Sequence, residues 1–395
     1  MQYPSLILQK GEERRLLAGH LWVFSNEVDN KRSPIKQFTS GQIVRVESSN
    51  GRVLGLAYLN PHTLLCARML TTDSKEQLDK QFFIHRIQNA LSLRNHCYGQ
   101  PFYRLIFGES DGLPGLVIER FNDIFVIQIS TAGMENLKSF IVEALVELFN
   151  PKGIVFKNDN ASRTIENLSL YVETAYGEIP ETIVLEENQT KFIVPLIEGQ
   201  KTGWFFDQFI NRSALLPFIR NKKVLDIFSY IGAWGIQAAS HHASHVTCME
   251  CSSLALSLVK QNAKLNRVEN IIDTIETNAF EGLETLVQQK EKFDVIILDP
   301  PALIKSRKDV KTGMIGYLKL HKMVMQLMQE EGSFLFSTSC SMHLSQTELL
   351  NVIRSAGQET KKQLRIVQFL HQSPDHPVHP AIQETNYLKG FVVAG

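Results

Sequence analysis

The chain has 395 residues, 44% of them hydrophobic and 21% charged, and its 41 Lys and Arg residues are balanced by 41 Asp and Glu residues. This length predicts roughly two or three domains, and the zero net charge excludes global attraction to nucleic acid, so such a partner must bind through local basic patches. No apolar run is long enough to span a membrane, residues 1–15 lack the pattern of a signal peptide, and the five cysteines are few and odd in number, so we expect a cytoplasmic protein without a disulfide framework.

Residues 1–70 read as short strands separated by turns, which predicts a small β-barrel. The strand-like runs are Leu6–Leu8, Gln42–Val46, Val53–Leu59 and Leu64–Leu70. The segment holds nine Lys and Arg against five Asp and Glu. Because phosphates attract cations and unstacked bases stack on flat rings, we interpret Arg14, Arg15 and Trp22 as RNA-binding candidates. The alternative is that Trp22 belongs to the core and the arginines to a solvated face.

Residues 71–182 predict a small α/β connecting domain. Helical spacing of apolar residues covers 74–95 and 134–149, and strand-like runs cover 103–107, 116–119, 124–129 and 154–157. This segment indicates no chemistry by itself.

Residues 183–395 begin with a hairpin, at 183–185 and 191–196, and continue with alternating strands and helices. Such alternation predicts an α/β fold with a parallel sheet covered by helices on both faces, and a binding site along the carboxyl ends of the strands. The predicted strands are 224–227, 245–250, 271–275, 293–298, 333–337, 364–369 and 387–393, and the predicted helices are 253–266, 279–290, 311–329 and 346–355.

The stretch from Val224 to Gly235 is the strongest indication of a nucleotide-like ligand. An apolar run ends at Asp226, a turn with Gly232 follows, and a helix then begins. Glu250 ends the next apolar run about 20 residues further on, where an acid commonly binds ribose hydroxyls. The alternative is an ordinary loop–helix junction of an α/β protein.

Two further strand ends carry polar or reactive residues. Asp299 is followed by two prolines, which fix an extended turn suited to binding the edge of a flat heterocycle. The alternative is a rigid loop in which Asp299 caps a helix. Cys340 follows another strand beside hydroxyl residues, so we predict a nucleophile rather than a small buried apolar residue.

A metal site is not predicted. Cys248 and Cys251 form a Cys-x-x-Cys pair, but Cys248 lies inside a predicted strand, Glu250 is needed for the ribose, and the sequence has no second cysteine pair.

Taken together, these motifs resemble the class I S-adenosylmethionine-dependent methyltransferases, which have a Rossmann-like fold, and more narrowly the RlmI-like family of 23S ribosomal RNA (cytosine-C5) methyltransferases. The motifs that carry this resemblance are Glu109–Gly115, Glu198–Gln208 with Asn211-Arg212, Asp299–Pro301 and Ser339–Ser341. The resemblance implies a PUA-like RNA-binding barrel at 1–70, a small α+β domain at 71–182 and a cofactor-binding methyltransferase domain at 183–395. It also implies S-adenosylmethionine as cofactor, 23S ribosomal RNA as partner and a possible homodimer.

The resemblance further implies roles for individual residues. Those expected to bind the cofactor are Thr202, Asp207, Arg212, Asp226, Ser229, Gly232, Glu250, Asn278 and Asp299. Family members usually have an aspartate where this chain has Asn278, so the contact with the adenine edge needs a different arrangement of donor and acceptor. Lys305 and Arg307, after the Asp-Pro-Pro motif, are further RNA-binding candidates, or else part of a solvated charged run.

In the expected reaction, the Cys340 thiolate attacks C6 of cytosine and thereby activates C5, while Asp299 stabilises the developing charge. Some RNA cytosine methyltransferases release the product with a second cysteine, but Pro301 occupies that position here, so the base that removes the C5 proton is unassigned. The alternatives are methylation of an exocyclic amine, a dinucleotide-dependent dehydrogenase, and a catalytically silent RNA-binding assembly factor.

Overall fold

The computed structural model describes residues 3–199 and 202–395. The chain forms two compact units. The first contains residues 1–182, 195–206 and 374–386, and the second contains 183–194, 207–373 and 387–395. Two short segments of the predicted methyltransferase domain therefore belong to the first unit.

The first unit begins with a five-stranded sheet of order β1-β3-β4-β5-β2, in which only the β1–β3 pair is parallel. Its inward side chains form a core that includes Leu6, Val44 and Ala67. The elements are β1 (Ser5–Ile7), α1 (Glu13–Leu17), β2 (Trp22–Phe24), β3 (Gln42–Glu47), β4 (Val53–Leu59) and β5 (Leu65–Thr71).

A second five-stranded sheet, of order β10-β9-β8-β7-β6, follows in the same unit. Only β8 and β9 are parallel. The elements are α2 (Lys80–Cys97), β6 (Phe102–Phe107), β7 (Leu116–Phe121), β8 (Ile124–Ile129), α3 (Ala132–Asn136), α4 (Lys138–Phe149), β9 (Gly153–Asn158) and β10 (Tyr171–Gly177).

The two sheets share one compact unit because polar and apolar contacts join them. The Tyr58 hydroxyl donates to the Pro114 carbonyl at 2.8 Å, and Arg68 pairs with Glu166 at 2.9 Å. Leu56, Tyr58 and Leu70 pack into the same core as α2 and the second sheet.

The segments that return to the first unit are fixed by buried polar groups. The Lys157 ammonium donates to the carbonyls of Leu196 and Gly199, at 3.3 and 2.5 Å. The backbone carbonyl of Asp375 accepts from Arg94 at 2.7 Å, and its carboxylate accepts from the Arg104 backbone N–H at 2.8 Å. These bonds tie 195–206 and 374–386 to α2, β6 and β9, a pairing that sequence periodicity does not encode.

The second unit contains a hairpin and a seven-stranded sheet of order β15-β14-β13-β16-β17-β19-β18. Strands β13 to β17 pair in parallel, whereas β19 is antiparallel to both of its neighbours, so the sheet is not wholly parallel. The strands are β11 (Thr182–Glu187), β12 (Thr190–Pro195), β13 (Lys223–Ile227), β14 (His245–Glu250), β15 (Ile272–Glu276), β16 (Val295–Leu298), β17 (Phe334–Ser339), β18 (Arg365–His371) and β19 (Lys389–Ala394).

Helices connect these strands. They are α5 (Phe209–Leu215), α6 (Ala233–Ser240), α7 (Ser253–Leu265), α8 (Ala279–Gln288), α9 (Val310–Leu327) and α10 (Gln346–Glu359). Capping side chains fix where α10 and α2 begin. Ser345 and Glu348 form a capping box at the start of α10, and Asp79 caps α2 so that this helix begins at Lys80, later than the apolar spacing predicts.

Four of the named helices and strands are absent from the predictions made from the sequence: α1, β2, β10 and the seven-residue α5. The first two are only five and three residues long, and β10 is an exposed edge strand without a continuous apolar face. None of these gives a strong periodic signal.

Within residues 3–199 and 202–395, no helix is long and apolar enough to cross a membrane. The same residues contain no group of three or more His, Cys, Asp or Glu side chains arranged to hold a metal ion.

Candidate active site

The loop from Phe228 to Gly232, between β13 and α6, has an unusual backbone. Phe228 and Tyr230 have positive φ angles of 64° and 48°, although neither is glycine. Left-handed backbone angles are strained for bulky aromatic residues, and such strain is enriched at functional sites. Gly232 has a φ of 84°, and a Cβ atom there would lie 2.8 Å from the Cγ1 atom of Ile236. Close packing and backbone angle together therefore require glycine at this position.

Asp226 lies in β13 directly beneath this loop and is fully buried. Its Oδ2 atom accepts the Gly235 backbone N–H at 2.9 Å, and its Oδ1 atom has no partner among the described residues. Burial raises the pKa of Asp226 to about 8, although the Gly235 N–H opposes the rise. The hydrogen bond from Gly235 therefore connects β13 to α6 through the Asp226 side chain. Contact between Asp226 and a cofactor stays a prediction.

Ser229 presents a buried hydroxyl within the loop. Its backbone N–H donates to the Met249 carbonyl at 3.1 Å, and its carbonyl accepts the Gly232 N–H at 2.8 Å. The hydroxyl itself has no partner among the described residues. A buried polar group without a partner is costly, so this hydroxyl is suited to bonding a polar ligand.

Glu250 lies at the end of β14, and its carboxylate is oriented by three backbone donors. Oε2 accepts the Tyr230 N–H at 3.0 Å, and Oε1 accepts the N–H groups of Cys251 and Ser252 at 2.8 and 3.1 Å. The carboxylate is thus fixed against the glycine loop. Oε1 also accepts the Cys251 thiol at 3.2 Å, so its lone pairs are engaged, whereas Oε2 keeps a lone pair with which to accept a hydroxyl.

Asn278 occupies the N-cap of α8. Its side-chain oxygen accepts the Phe280 backbone N–H at 2.9 Å. Because the carbonyl oxygen serves the helix, the amide N–H groups are the part best suited to bonding a ligand.

Asp299 follows β16 and accepts three side-chain hydrogen bonds. Gln208 Nε2 and Thr338 Oγ1 donate to Oδ1 at 2.9 and 2.5 Å, and Trp234 Nε1 donates to Oδ2 at 3.2 Å. Burial raises the pKa of Asp299, while the bonds from Thr338 and Trp234 act against the rise. The carboxyl group is therefore held in one orientation by donors from the turn before α5, from α6 and from β17.

The sequence analysis did not assign these three donors. Gln208 ends the quoted Glu198–Gln208 motif, Thr338 lies two residues before Cys340, and Trp234 lies inside the glycine-containing stretch. The available signal was a side chain with a donor group inside or directly beside each of these stretches.

Cys340 follows β17 and is partly buried. Strands β16 and β17 are parallel neighbours, with Leu298 opposite Ser337, so the residues that follow both strands emerge at the same edge of the sheet. The bond between Thr338 and Asp299 connects these two ends. The fold therefore brings the segments that carry Cys340 and Asp299 together.

Arg212 and Asp207 make defined contacts within the second unit. Nε and Nη2 of Arg212 donate to Oε1 and Oε2 of Glu187, at 2.5 and 2.7 Å, and both residues are buried. Gln237 Nε2 donates to the same carboxylate at 2.7 Å. Asp207 Oδ2 accepts the Tyr387 hydroxyl at 2.6 Å. Glu187 was not among the residues predicted from the sequence. Its ion pair means that Arg212 has a structural role within the second unit.

Thr202 is buried and belongs to the first unit. The adjacent Gln200 and Lys201, which belong to the same quoted motif, lie outside the described residues. The cofactor contact of Thr202 stays a prediction.

The predicted RNA-binding residues differ in their surroundings. Arg14, Lys305 and Arg307 are exposed. Arg15 donates to the Trp22 carbonyl at 3.0 Å and pairs with Glu27, and Trp22 Nε1 donates to Glu109 at 2.9 Å. Arg15 and Trp22 thus also have structural roles, and RNA binding by all five residues stays a prediction.

Comparison with known proteins places these features in context. Residues 6–72 match the model of the PUA-like domain family, and residues 205–355 match the family described as Conserved hypothetical protein 95. The chain is 34% identical over 392 residues to a ribosomal RNA large subunit methyltransferase I of Aliivibrio fischeri, and 34% identical over 390 residues to the protein of that name from Shewanella denitrificans; 98% of each chain is covered.

Two solved structures share the fold. A putative methyltransferase, SMU.776, complexed with SAH has a TM-score of 0.84 at 21% identity, with 99% of this chain and 100% of that chain covered. A putative SAM-dependent methyltransferase from Streptococcus mutans has a TM-score of 0.82 at 21% identity, with the same coverage. The predicted fold class, a Rossmann-like methyltransferase fold preceded by a PUA-like domain, is confirmed. The predicted division into three domains stays a prediction.

Proposed function

Because the chain belongs to the RlmI-like family of ribosomal RNA large subunit methyltransferases, we propose that it methylates C5 of one cytosine in 23S ribosomal RNA through a covalent cysteine adduct. Its cofactor is S-adenosylmethionine. The observation that carries the proposal is the hydrogen-bonded connection between the strand ends that bear Asp299 and Cys340.

The residues around the glycine loop fit the cofactor. The Glu250 carboxylate, oriented by backbone N–H groups, would accept the ribose hydroxyls, and the buried Ser229 hydroxyl would bond a polar group of the ligand. When bound, S-adenosylmethionine supplies an electrophilic methyl group. The loop, with positive φ angles at Phe228 and Tyr230, would let its backbone approach the ligand.

Cys340 has the role of nucleophile in this proposal. C5 of cytosine is a poor nucleophile, but formation of a bond between the Cys340 sulfur and C6 turns C5 into an enamine-like carbon that can accept a methyl group. Loss of the C5 proton to a base and cleavage of the C6–S bond then restore the aromatic ring and the thiolate. The position of Cys340 beyond β17, at the same sheet edge as Asp299, supports this role.

Asp299 would stabilise the charge that develops on the ring. Its raised pKa favours a protonated carboxyl that can donate to N3, and an ionised carboxylate there would accept from the exocyclic amine. The donors Gln208, Thr338 and Trp234 fix the carboxyl in place before a base arrives, which lowers the reorganisation needed for catalysis.

RNA binding would use the PUA-like sheet and the charged segment that follows Asp299. The exposed Arg14, Lys305 and Arg307 are suited to phosphate contacts, which contribute affinity without reading sequence. The homodimer implied by the family resemblance is part of the same proposal.

The test uses 23S ribosomal RNA from cells that lack the protein and from the same cells complemented with variants. Mass mapping should find one cytosine without its C5 methyl group in the deletion strain. Wild type should restore the methyl group, and Cys340→Ala should not. Cys97→Ala, which changes an exposed cysteine at the end of α2, is the matched control and should behave as wild type.

Two outcomes would contradict the proposal. Restoration by Cys340→Ala would indicate methylation of an exocyclic amine, which needs no thiol. An RNA with the same methylation pattern with and without the protein would indicate a silent RNA-binding assembly factor.

A further inference from the structure

Lys389 is a buried cation at the sheet edge that carries Cys340. It lies at the start of β19, opposite Ser339 of β17, and only 9% of its surface is exposed. Its ammonium group donates to the carbonyls of Ser341 and Leu344, at 2.6 and 2.7 Å. Lys389 therefore holds the nucleophile loop, which we define as residues 340–344.

A second group of bonds fixes the residues on either side of Cys340. The Tyr317 hydroxyl lies 2.7 Å from the Ser339 Oγ atom and 3.0 Å from the Ser341 Oγ atom. The Ser341 backbone N–H donates to Ser339 Oγ at 3.2 Å. With Lys389 bonded to the carbonyls of Ser341 and Leu344, and Tyr317 bonded to the hydroxyls of Ser339 and Ser341, the backbone around Cys340 has little freedom to move.

The hydrogen bonds to the two carbonyls do not explain why a charged residue occupies position 389. A neutral amide could also donate to a carbonyl, and burial of an ammonium group is unfavourable unless a negative charge or polar groups compensate. Burial lowers the pKa of Lys389 to about 8, and the negative charges of Cys340 and Glu348 act against this effect. Glu348 is itself held by the Ser345 backbone N–H and hydroxyl at the start of α10.

Electrostatic interactions are mutual, so an ammonium group stabilised by the Cys340 thiolate stabilises that thiolate equally. Tyr317 also interacts with Cys340, and burial raises the pKa of Tyr317, against the hydrogen bonds with Ser339 and Ser341. Lys389, bonded to the carbonyl of the residue after Cys340, is a cation placed to act on the thiol.

We propose that Lys389 is a positioning residue for the reaction: its ammonium group orders the nucleophile loop and favours the thiolate form of Cys340. This inference rests on the proposed role of Cys340 as nucleophile. It assigns to β19, a strand remote in sequence from the cysteine motif, a part in activating the thiol.

The experiment measures the rate at which iodoacetamide alkylates Cys340 in the full-length protein without RNA, between about pH 6 and pH 10, by mass spectrometry of the Cys340 peptide. Lys389→Gln removes the charge but keeps a donor, and Lys389→Arg keeps both. We expect Lys389→Gln to move the midpoint of the alkylation profile upward by about one pH unit. Lys389→Arg should stay close to wild type.

Lys362 offers a matched control in the same unit. Its ammonium group also donates to two carbonyls, those of Met328 and Gln329, but these precede β17 rather than follow it. Lys362→Gln should therefore leave the Cys340 profile unchanged. Exposed Cys97 and Cys251 serve as internal standards for reagent concentration in every sample.

An unchanged midpoint in Lys389→Gln, with Cys340 still reactive, would reduce Lys389 to a structural residue and overturn the inference. An equal shift in Lys389→Arg would do the same, since the charge is then not what matters. Should Lys389→Gln unfold, the alkylation profile and the kcat of Lys389→Arg are compared with those of wild type, and a raised midpoint in Lys389→Arg overturns the inference. A protein that methylates RNA without Cys340 would instead contradict the proposed function, and the alkylation profiles would still report on Lys389.

Discussion

The Oγ1 atom of Thr338 lies 2.5 Å from the Oδ1 atom of Asp299, and this hydrogen bond connects the ends of two parallel neighbours, β17 and β16. The hydroxyl acts against the effect of burial, which raises the pKa of Asp299. Thr338 thereby links the loop of the candidate nucleophile to the charge state of the candidate electrostatic residue.

Replacement of Thr338 by valine should raise the pKa of Asp299 further, because the valine side chain cannot donate to the carboxylate. The limb of the pH–kcat profile that reports the titration of Asp299 should therefore move to higher pH, by about half a unit to one unit. The direction is the same whether the protonated or the ionised carboxyl is the active form. Thr338→Ser keeps the hydroxyl and should keep the wild-type profile. An identical profile in the valine variant would show that this bond does not control Asp299.

Replacement of Glu250 by glutamine should weaken binding of S-adenosylhomocysteine. A hydrogen bond to a charged group contributes about 1.5–3 kcal/mol, so we expect a Kd at least roughly tenfold higher by calorimetry. Glu276 is the control, because it is exposed and lies opposite Glu250 in the β14–β15 pair. Equal affinities of Glu250→Gln and Glu276→Gln would exclude Glu250 from the ribose site.

Asp226 should make the protein less stable as the pH rises. Burial raises its pKa to about 8 in the folded protein, against 3.8 for an ordinary aspartate, so the folded state binds more protons than the unfolded state between these values. The stabilisation is complete below about pH 4 and is lost as the pH approaches 8. In Asp226→Asn the thermal unfolding temperature should fall less between about pH 6 and pH 8 than in wild type.

The pH dependence of the unfolding temperature can also contradict the raised pKa of Asp226. Parallel curves for Asp226→Asn and wild type would mean that Asp226 is ionised in the folded protein. In that case its buried Oδ1 atom would need a positive or donating partner other than the described residues.

Arg212 and Glu187 form a buried ion pair with two hydrogen bonds. Arg212→Met leaves a buried carboxylate without its cation, so the free energy of unfolding of the second unit should fall by about 3–5 kcal/mol. Urea unfolding measures this change. The double variant Arg212→Met, Glu187→Met removes both charges and should recover most of the loss.

The double variant also tests whether Arg212 contributes to the cofactor site. If the recovered protein binds S-adenosylhomocysteine as tightly as wild type, Arg212 serves the fold alone. A weaker affinity in a protein of recovered stability would support the predicted role at the methionine end of the cofactor.

The sequence by itself determined the α/β character of the second unit and the positions of its strand-end residues. Asp226, Glu250 and Asp299 all lie where their strands end or just beyond, because apolar runs mark buried strands and the first polar residue marks the edge. These motifs predicted an α/β fold with a binding site at the strand ends, whereas the methyltransferase fold was implied by the family resemblance of the quoted motifs, and the comparisons confirm that fold.

Only the tertiary structure decided which side chains meet at those edges. Gln208 is 91 residues from Asp299 in sequence, and Lys389 is 45 residues from Leu344, yet both pairs are hydrogen-bonded. The antiparallel insertion of β19 beside β17 places Lys389 opposite Ser339. Periodicity depends on local backbone geometry and burial, whereas these contacts depend on how distant segments pack, so a pattern of neighbouring residues carries no record of them.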